Sequence, residues 1–203
     1  MEGKVTRLNY LARAISRVTN PCILSVLVLL LIAGTEYADV RAFIAWAVTV
    51  VLFLVLIPFV YVYIRTFKNI SAIKLMTAPT VFLKQHPRDI LILGLSLGLP
   101  CLVILLFLGA PSPMLRTLLA LLASSIVVAL LNIFYRVSYH LSAVTVLIIM
   151  SVLAWGQNFF FLLAVVPLVG WAKYHNREHT LAQLALGIAL AVAVSSATLC
   201  LFD

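Results

Sequence analysis

Long apolar runs alternate with short polar segments along most of the chain. Seven can be traced: Cys22–Ala38, Ala42–Ile64, Ile90–Ala110, Leu115–Tyr135, Leu141–Trp155, Phe159–Ala172 and Leu181–Leu201. A helix needs roughly 20 residues to cross the hydrocarbon of a bilayer, whereas a barrel strand needs only about 9–11. The runs therefore predict an all-α, polytopic transmembrane helical bundle of six or seven spans. The fifth and sixth runs are short for a crossing, and read either as short spans with ends buried in protein or as a re-entrant pair. Residues 1–21 differ from the rest. Lys4, Arg7, Arg13 and Arg17 recur there with Leu8, Leu11, Ile15 and Val18 between them. This is the pattern of a basic amphipathic helix lying on an anionic membrane surface. Asn20-Pro21 breaks it from the single transmembrane domain expected over 22–203.

Composition narrows the class. Of 203 residues, 65% are hydrophobic and 10% charged, and the mean hydropathy is +1.19. A soluble domain is about half apolar and about a quarter charged, and disorder needs low hydrophobicity, so both are excluded. Nucleic-acid binding is not expected despite the net charge of +8. Cys22, Cys101 and Cys200 all lie in apolar runs and read as small hydrophobes.

Charge sets the orientation. Threading seven spans places residues 1–21, 65–89, 136–140 and 173–180 on one side, with 12 of the 14 basic residues. Twelve cations against three acids make that side +9, and two against three make the other −1. Short cytoplasmic loops carry the Lys and Arg. An inner-membrane protein with its N-terminus on the cytoplasmic side is expected. All four histidines, His86, His140, His175 and His179, fall on the same basic side. Histidines beside several cations suit an anionic group such as phosphate. No charge sits mid-span, which argues against a transporter or channel. Ser124, Ser125 and Asn132 read as helix-contact residues. No phosphate loop or metal-ligand spacing is present, and the HxxxH pair at His175 and His179 lacks a third ligand.

Two basic-side segments combine a histidine, a cation and hydroxyl or amide groups just before an apolar helix. They are Tyr135-Arg136-Val137-Ser138-Tyr139-His140-Leu141-Ser142 and Trp171-Ala172-Lys173-Tyr174-His175-Asn176-Arg177-Glu178-His179-Thr180-Leu181-Ala182-Gln183. The second resembles the third signature of the type 2 phosphatidic acid phosphatase superfamily, S-R-x5-H-x3-D, read here as Ala172, Lys173, His179 and Gln183 at the same spacing. The first resembles the second signature, P-S-G-H, read as Val137-Ser138-Tyr139-His140. The R-x-S-x-H and W-A-K…H-T-L-x-Q patterns resemble a prokaryotic branch of that superfamily, and Gly187 fits the small residue beyond the third signature.

The resemblance implies a bundle of that superfamily's kind and a metal-independent, cofactor-free phosphatase acting on a lipid or isoprenoid phosphate or diphosphate. His179 would attack phosphorus and form a phosphohistidine, while His140 would protonate the leaving oxygen and later activate water. Lys173, Arg136, Arg177 and Ser138 would hold the phosphate oxygens. Gln183 stands where the family has an acid that orients the nucleophilic ring. The first signature, K-x6-R-P, is not reproduced in residues 65–89: Lys74 is the nearest phosphate-binding lysine, and Val81 falls where the arginine belongs. These departures define a second expectation, a relative without catalysis serving as a structural or lipid-binding subunit of a membrane complex. Expected partners are membrane lipids and the lipid phosphate, with homo-oligomer or membrane-complex contacts as the protein partners.

Overall fold

The computed structural model describes residues 7–36, 39–66 and 87–201. Lys74, His86 and the cations at 4, 68 and 84 lie outside the described residues. The described chain is all-helical. Its elements are α1 (Arg7–Val18), α2 (Pro21–Glu36), α3 (Val40–Val51), a π-helical turn (Leu52–Leu56), α4 (Ile57–Thr66), α5 (Pro87–Phe107), α6 (Ser112–Leu131), α7 (Tyr139–Trp155), a 3-10 stretch (Gln157–Ala164), α8 (Val165–His175) and α9 (Leu181–Cys200).

The apolar runs become these helices, and polar or conformationally special residues end them. Asp39 caps α3 by accepting the N–H of Arg41. Gly109 and Gly156, at φ 63° and 91°, close the turns after α5 and α7, where a left-handed backbone favours glycine. Among the described residues, three helices are long and apolar enough to cross a membrane: Val40–Tyr61, Ser112–Leu131 and Leu181–Cys200. α1 and α2 together pass the same test as a pair bent by 49°. α7 is apolar but shorter. The short fifth run is thus a 17-residue helix. The sixth is divided, with a 3-10 stretch leading into the 11-residue α8.

From α6 to α9, helices consecutive in the chain alternate in direction. Ser124 Oγ and Ser142 Oγ share a buried hydrogen bond of 2.9 Å, and Ala120 joins Val146 and Met150 in one apolar cluster. α6 and α7 are therefore antiparallel. A Cβ at Gly170 would lie 3.7 Å from Leu141, while Val166 shares a cluster with Ile148, so α8 also opposes α7. α9 runs parallel to α7, because Gly187 lies against Ser138 and Ser142 while Ala191 joins Val146 and Met150. The N-termini of α7 and α9, the C-termini of α6 and α8, and the α1–α2 bend consequently meet at one end of the bundle. At the other end, Trp46 Nε1 donates to the Leu108 carbonyl at 3.1 Å and ties α3 to the α5–α6 turn. The main core lies between α2, α3, α5, α6 and α7, around Leu29, Ile32, Val50, Leu105, Met114, Leu118 and Leu147.

Outward surfaces stay apolar. Ile23, Leu27, Val48, Phe59, Phe107, Leu130 and Phe134 are all exposed. So much exposed apolar surface on several helices fits contact with a nonaqueous phase. The three cysteines are free thiols, with Cys101 buried and Cys22 and Cys200 exposed.

Candidate functional site at the histidine end

Each histidine segment is shaped by local capping chemistry. Ser138 is the N-cap of α7, its hydroxyl accepting the N–H of Leu141 at 3.4 Å. Asn132 reinforces the turn before it by accepting the Val137 N–H at 2.7 Å. Ser138 is fully buried, because its backbone packs on Gly187: a Cβ there would come within 3.3 Å of the Ser138 carbonyl oxygen. A side chain there would press on the Ser138 backbone, so the close approach favours glycine.

The second segment begins where α8 stops. Arg177 has φ 55°. Its N–H donates to the Tyr174 carbonyl at 2.9 Å, and the Glu178 N–H donates to that of Lys173 at 3.1 Å. These two bonds make a Schellman motif, with arginine at the position that usually holds glycine. The reversal brings Glu178 back onto Lys173, and their side chains pair at 3.2 Å with only 6% of the lysine side chain exposed. The chain then enters α9 through a capping box. Thr180 accepts the Gln183 N–H, and Gln183 Oε1 accepts the Thr180 N–H at 3.0 Å.

The N-terminal helix reaches both segments. Asn9 Oδ1 lies 2.9 Å from His175 Nε2, and Trp171 stacks on the same imidazole at 5.2 Å between centroids. Thr19 Oγ1 lies 3.1 Å from His140 Nε2. Thr19 Oγ1 also donates to the Ile15 carbonyl at 2.8 Å. Asn9 Oδ1 has only lone pairs to offer, so His175 donates from Nε2.

Between α1 and residues 171–183 lies an open basin of about 1350 Å3, lined by Asn9, Arg13, Trp171, Tyr174, His175, Asn176, Arg177, Glu178, His179, Thr180, Leu181, Ala182 and Gln183. Of the residues expected to act on phosphate, His179, Arg177 and Gln183 line it. His140, Ser138, Arg136 and Lys173 do not. The reason is stagger: the start of α7 packs through Ser138 and Ser142 on Gly187, about 9 Å of helix rise beyond the start of α9, whereas His179 precedes that start. Lys173 is turned inward onto Glu178, Arg136 is exposed in the α6–α7 turn, and Lys74 lies outside the described residues. His179 is half-buried, with Nδ1 enclosed. The Gln183 carbonyl, expected to orient the His179 ring, is bonded to the Thr180 N–H instead. Among the described residues no three His, Cys, Asp or Glu side chains gather at a metal-sized site.

The sequence reading missed Asn9 and Thr19, whose bonds join residues 166 and 121 positions apart. It also missed the capping box, although Thr180-Leu181-Ala182-Gln183 carries that signal openly. No family model matches the chain, and neither does any curated protein or solved structure.

Proposed function

We propose that this chain is a polytopic inner-membrane protein of six or seven spans whose cytoplasmic histidine end takes the phosphate or diphosphate group of a lipid or isoprenoid and hydrolyses it through His179. The observation that carries the reading is the basin itself, whose lining includes the half-buried His179 imidazole and Arg177 just before a long apolar helix begins. The alternating helix directions and the basic loops at the histidine end support the cytoplasmic assignment. In the proposed reaction a His179 nitrogen attacks phosphorus, and the P–N bond forms as the bond to the leaving oxygen breaks. For the next step His140, as imidazolium, leaves Thr19, closes its offset from His179 and gives a proton to that oxygen. The then neutral His140 takes a proton from a water that attacks phosphorus, the P–N bond breaks and phosphate is released. Arg177 balances charge on the non-bridging oxygens. The apolar tail lies against the exposed faces of the helices.

A second reading has its own support. The Lys173 ammonium is paired with Glu178, and the Gln183 carbonyl is committed to its cap. A site in that condition suits a relative that binds a lipid phosphate without turning it over and serves as a structural or lipid-binding subunit. One experiment separates the two. The detergent-purified protein is given dioctanoyl phosphatidate and farnesyl diphosphate, and phosphate release and binding are both followed. Release abolished by His179→Ala supports hydrolysis. Binding without release supports the second reading. Neither binding nor release overturns both.

A further inference from the structure

α1 presents three different faces. Ala12 is fully buried and Ile15 packs on the α7–α8–α9 cluster. Leu8, Leu11 and Val18 form an exposed apolar stripe, as expected of a helix resting at a membrane surface. Asn9 and Arg13, one turn apart, point into the basin. The helix is held there by two polar bonds, Asn9 to His175 and Thr19 to His140.

We propose that α1 is a working wall of the site, and that Arg13 is a ligand for the phosphate group of the bound lipid, supplying a cation in addition to Arg177. The inference rests on reading the basin as a phosphate site. Lys173 is turned away onto Glu178, and Val81 occupies the position where an arginine was expected. Of the cations on the described segments, Arg13 and Arg177 line the basin, one from α1 and one from the turn between α8 and α9. A phosphate held there would draw a guanidinium from each of these two segments. The apolar stripe of α1 sets Arg13 at the depth of lipid headgroups, so a lipid phosphate reaches it without leaving the membrane surface.

The test uses the full chain in detergent at fixed salt. Binding of dioctanoyl phosphatidate, farnesyl diphosphate and inorganic phosphate is measured for the unaltered protein, Arg13→Gln, Arg13→Lys and Arg7→Gln. Arg7 is exposed about 120° round the same helix, and serves as the control for general surface charge. Arg13→Gln is expected to weaken phosphatidate or diphosphate binding about tenfold, as loss of a charge-assisted contact does. Arg13→Lys recovers part of the loss, and Arg7→Gln changes little. A response of the two lipid probes without inorganic phosphate assigns a lipid headgroup; a response of inorganic phosphate alone assigns the free anion. Equal effects of Arg13→Gln and Arg7→Gln, or none from Arg13→Gln in a protein that melts normally, overturn the inference. If the protein hydrolyses lipid phosphate and Arg13→Gln leaves KM unchanged, the inference fails and the proposed function stands. Arg13-dependent binding without hydrolysis keeps the inference and removes the catalytic reading.

Discussion

The two histidine segments use similar local grammar and reach opposite outcomes. In each, a hydroxyl residue caps an apolar helix within two positions of a histidine: Ser138 before His140, and Thr180 after His179. Yet Ser138 is sealed against Gly187 inside the bundle, whereas Thr180 is exposed on the rim of a basin. The difference arises because α9 begins about 9 Å before the level at which α7 joins it. One cap is therefore structural masonry, and the other is surface chemistry. His140 sits in the firm segment, and His179, the candidate nucleophile, sits in the open one.

The contrast can be attacked at its strongest point first. The open segment is anchored by the Lys173–Glu178 pair, and Glu178→Ala would leave a buried ammonium without its acid. A loss of about 2–3 kcal/mol is expected, somewhat below a fully buried pair because the glutamate is 25% exposed. Thermal unfolding in detergent measures it, and an unchanged midpoint would show that the pair does not hold the turn. Next, Gly187→Val forces a side chain against the Ser138 carbonyl. Overpacking there should cost about 2 kcal/mol and should disturb the His140 segment more than the basin. Lipid-phosphate binding surviving in a destabilised protein would sharpen the distinction between the two segments. Removing the caps compares them directly. Ser138→Ala should cost about 1.5 kcal/mol and Thr180→Ala about 0.5–1 kcal/mol, because only the first strips a cap enclosed in packing; equal losses would erase the contrast. The smallest effect has the opposite sign. Arg177→Gly relieves a left-handed backbone and should raise stability by about 0.5 kcal/mol while weakening phosphate binding. A variant that gains stability and keeps its affinity would remove Arg177 from the site.

The helical architecture was legible because apolar runs of this length permit few folds. The breaks at Asn20-Pro21 and Gly156 appear where the sequence places helix-interrupting residues. A histidine, a cation and hydroxyl or amide groups just before an apolar helix marked the two histidine segments, and three of the expected site residues, His179, Arg177 and Gln183, line one basin. What stayed hidden depends on three-dimensional return of the chain. Glu178 entered the sequence reading only as a charge to be summed, since nothing in its spacing announces the left-handed Arg177 that folds it onto Lys173. The reach of Asn9 to His175 is equally invisible, because hydropathy describes α1 as a surface helix and says nothing of where it docks. His140 and His179 look equivalent in sequence and are not, since axial stagger between parallel helices leaves no mark on either segment.

The wide turn at Leu52–Leu56 bears on how this molecule tolerates change in length. Ile57 donates its N–H to the Leu52 carbonyl, one residue further back than an α-helix requires, and Pro58 follows with no N–H to give. The turn absorbs an odd residue, so the stretch Ile57–Thr66 is set round by about 100° from the phase that Val40–Val51 would otherwise impose. Excising a single residue here would rotate Phe59, Val60 and Ile64 away from the outer surface they now occupy and bring other side chains to face it. A one-codon deletion in this span thus acts as a twist of half the helix, and should prove more disruptive than most substitutions of the residues it removes.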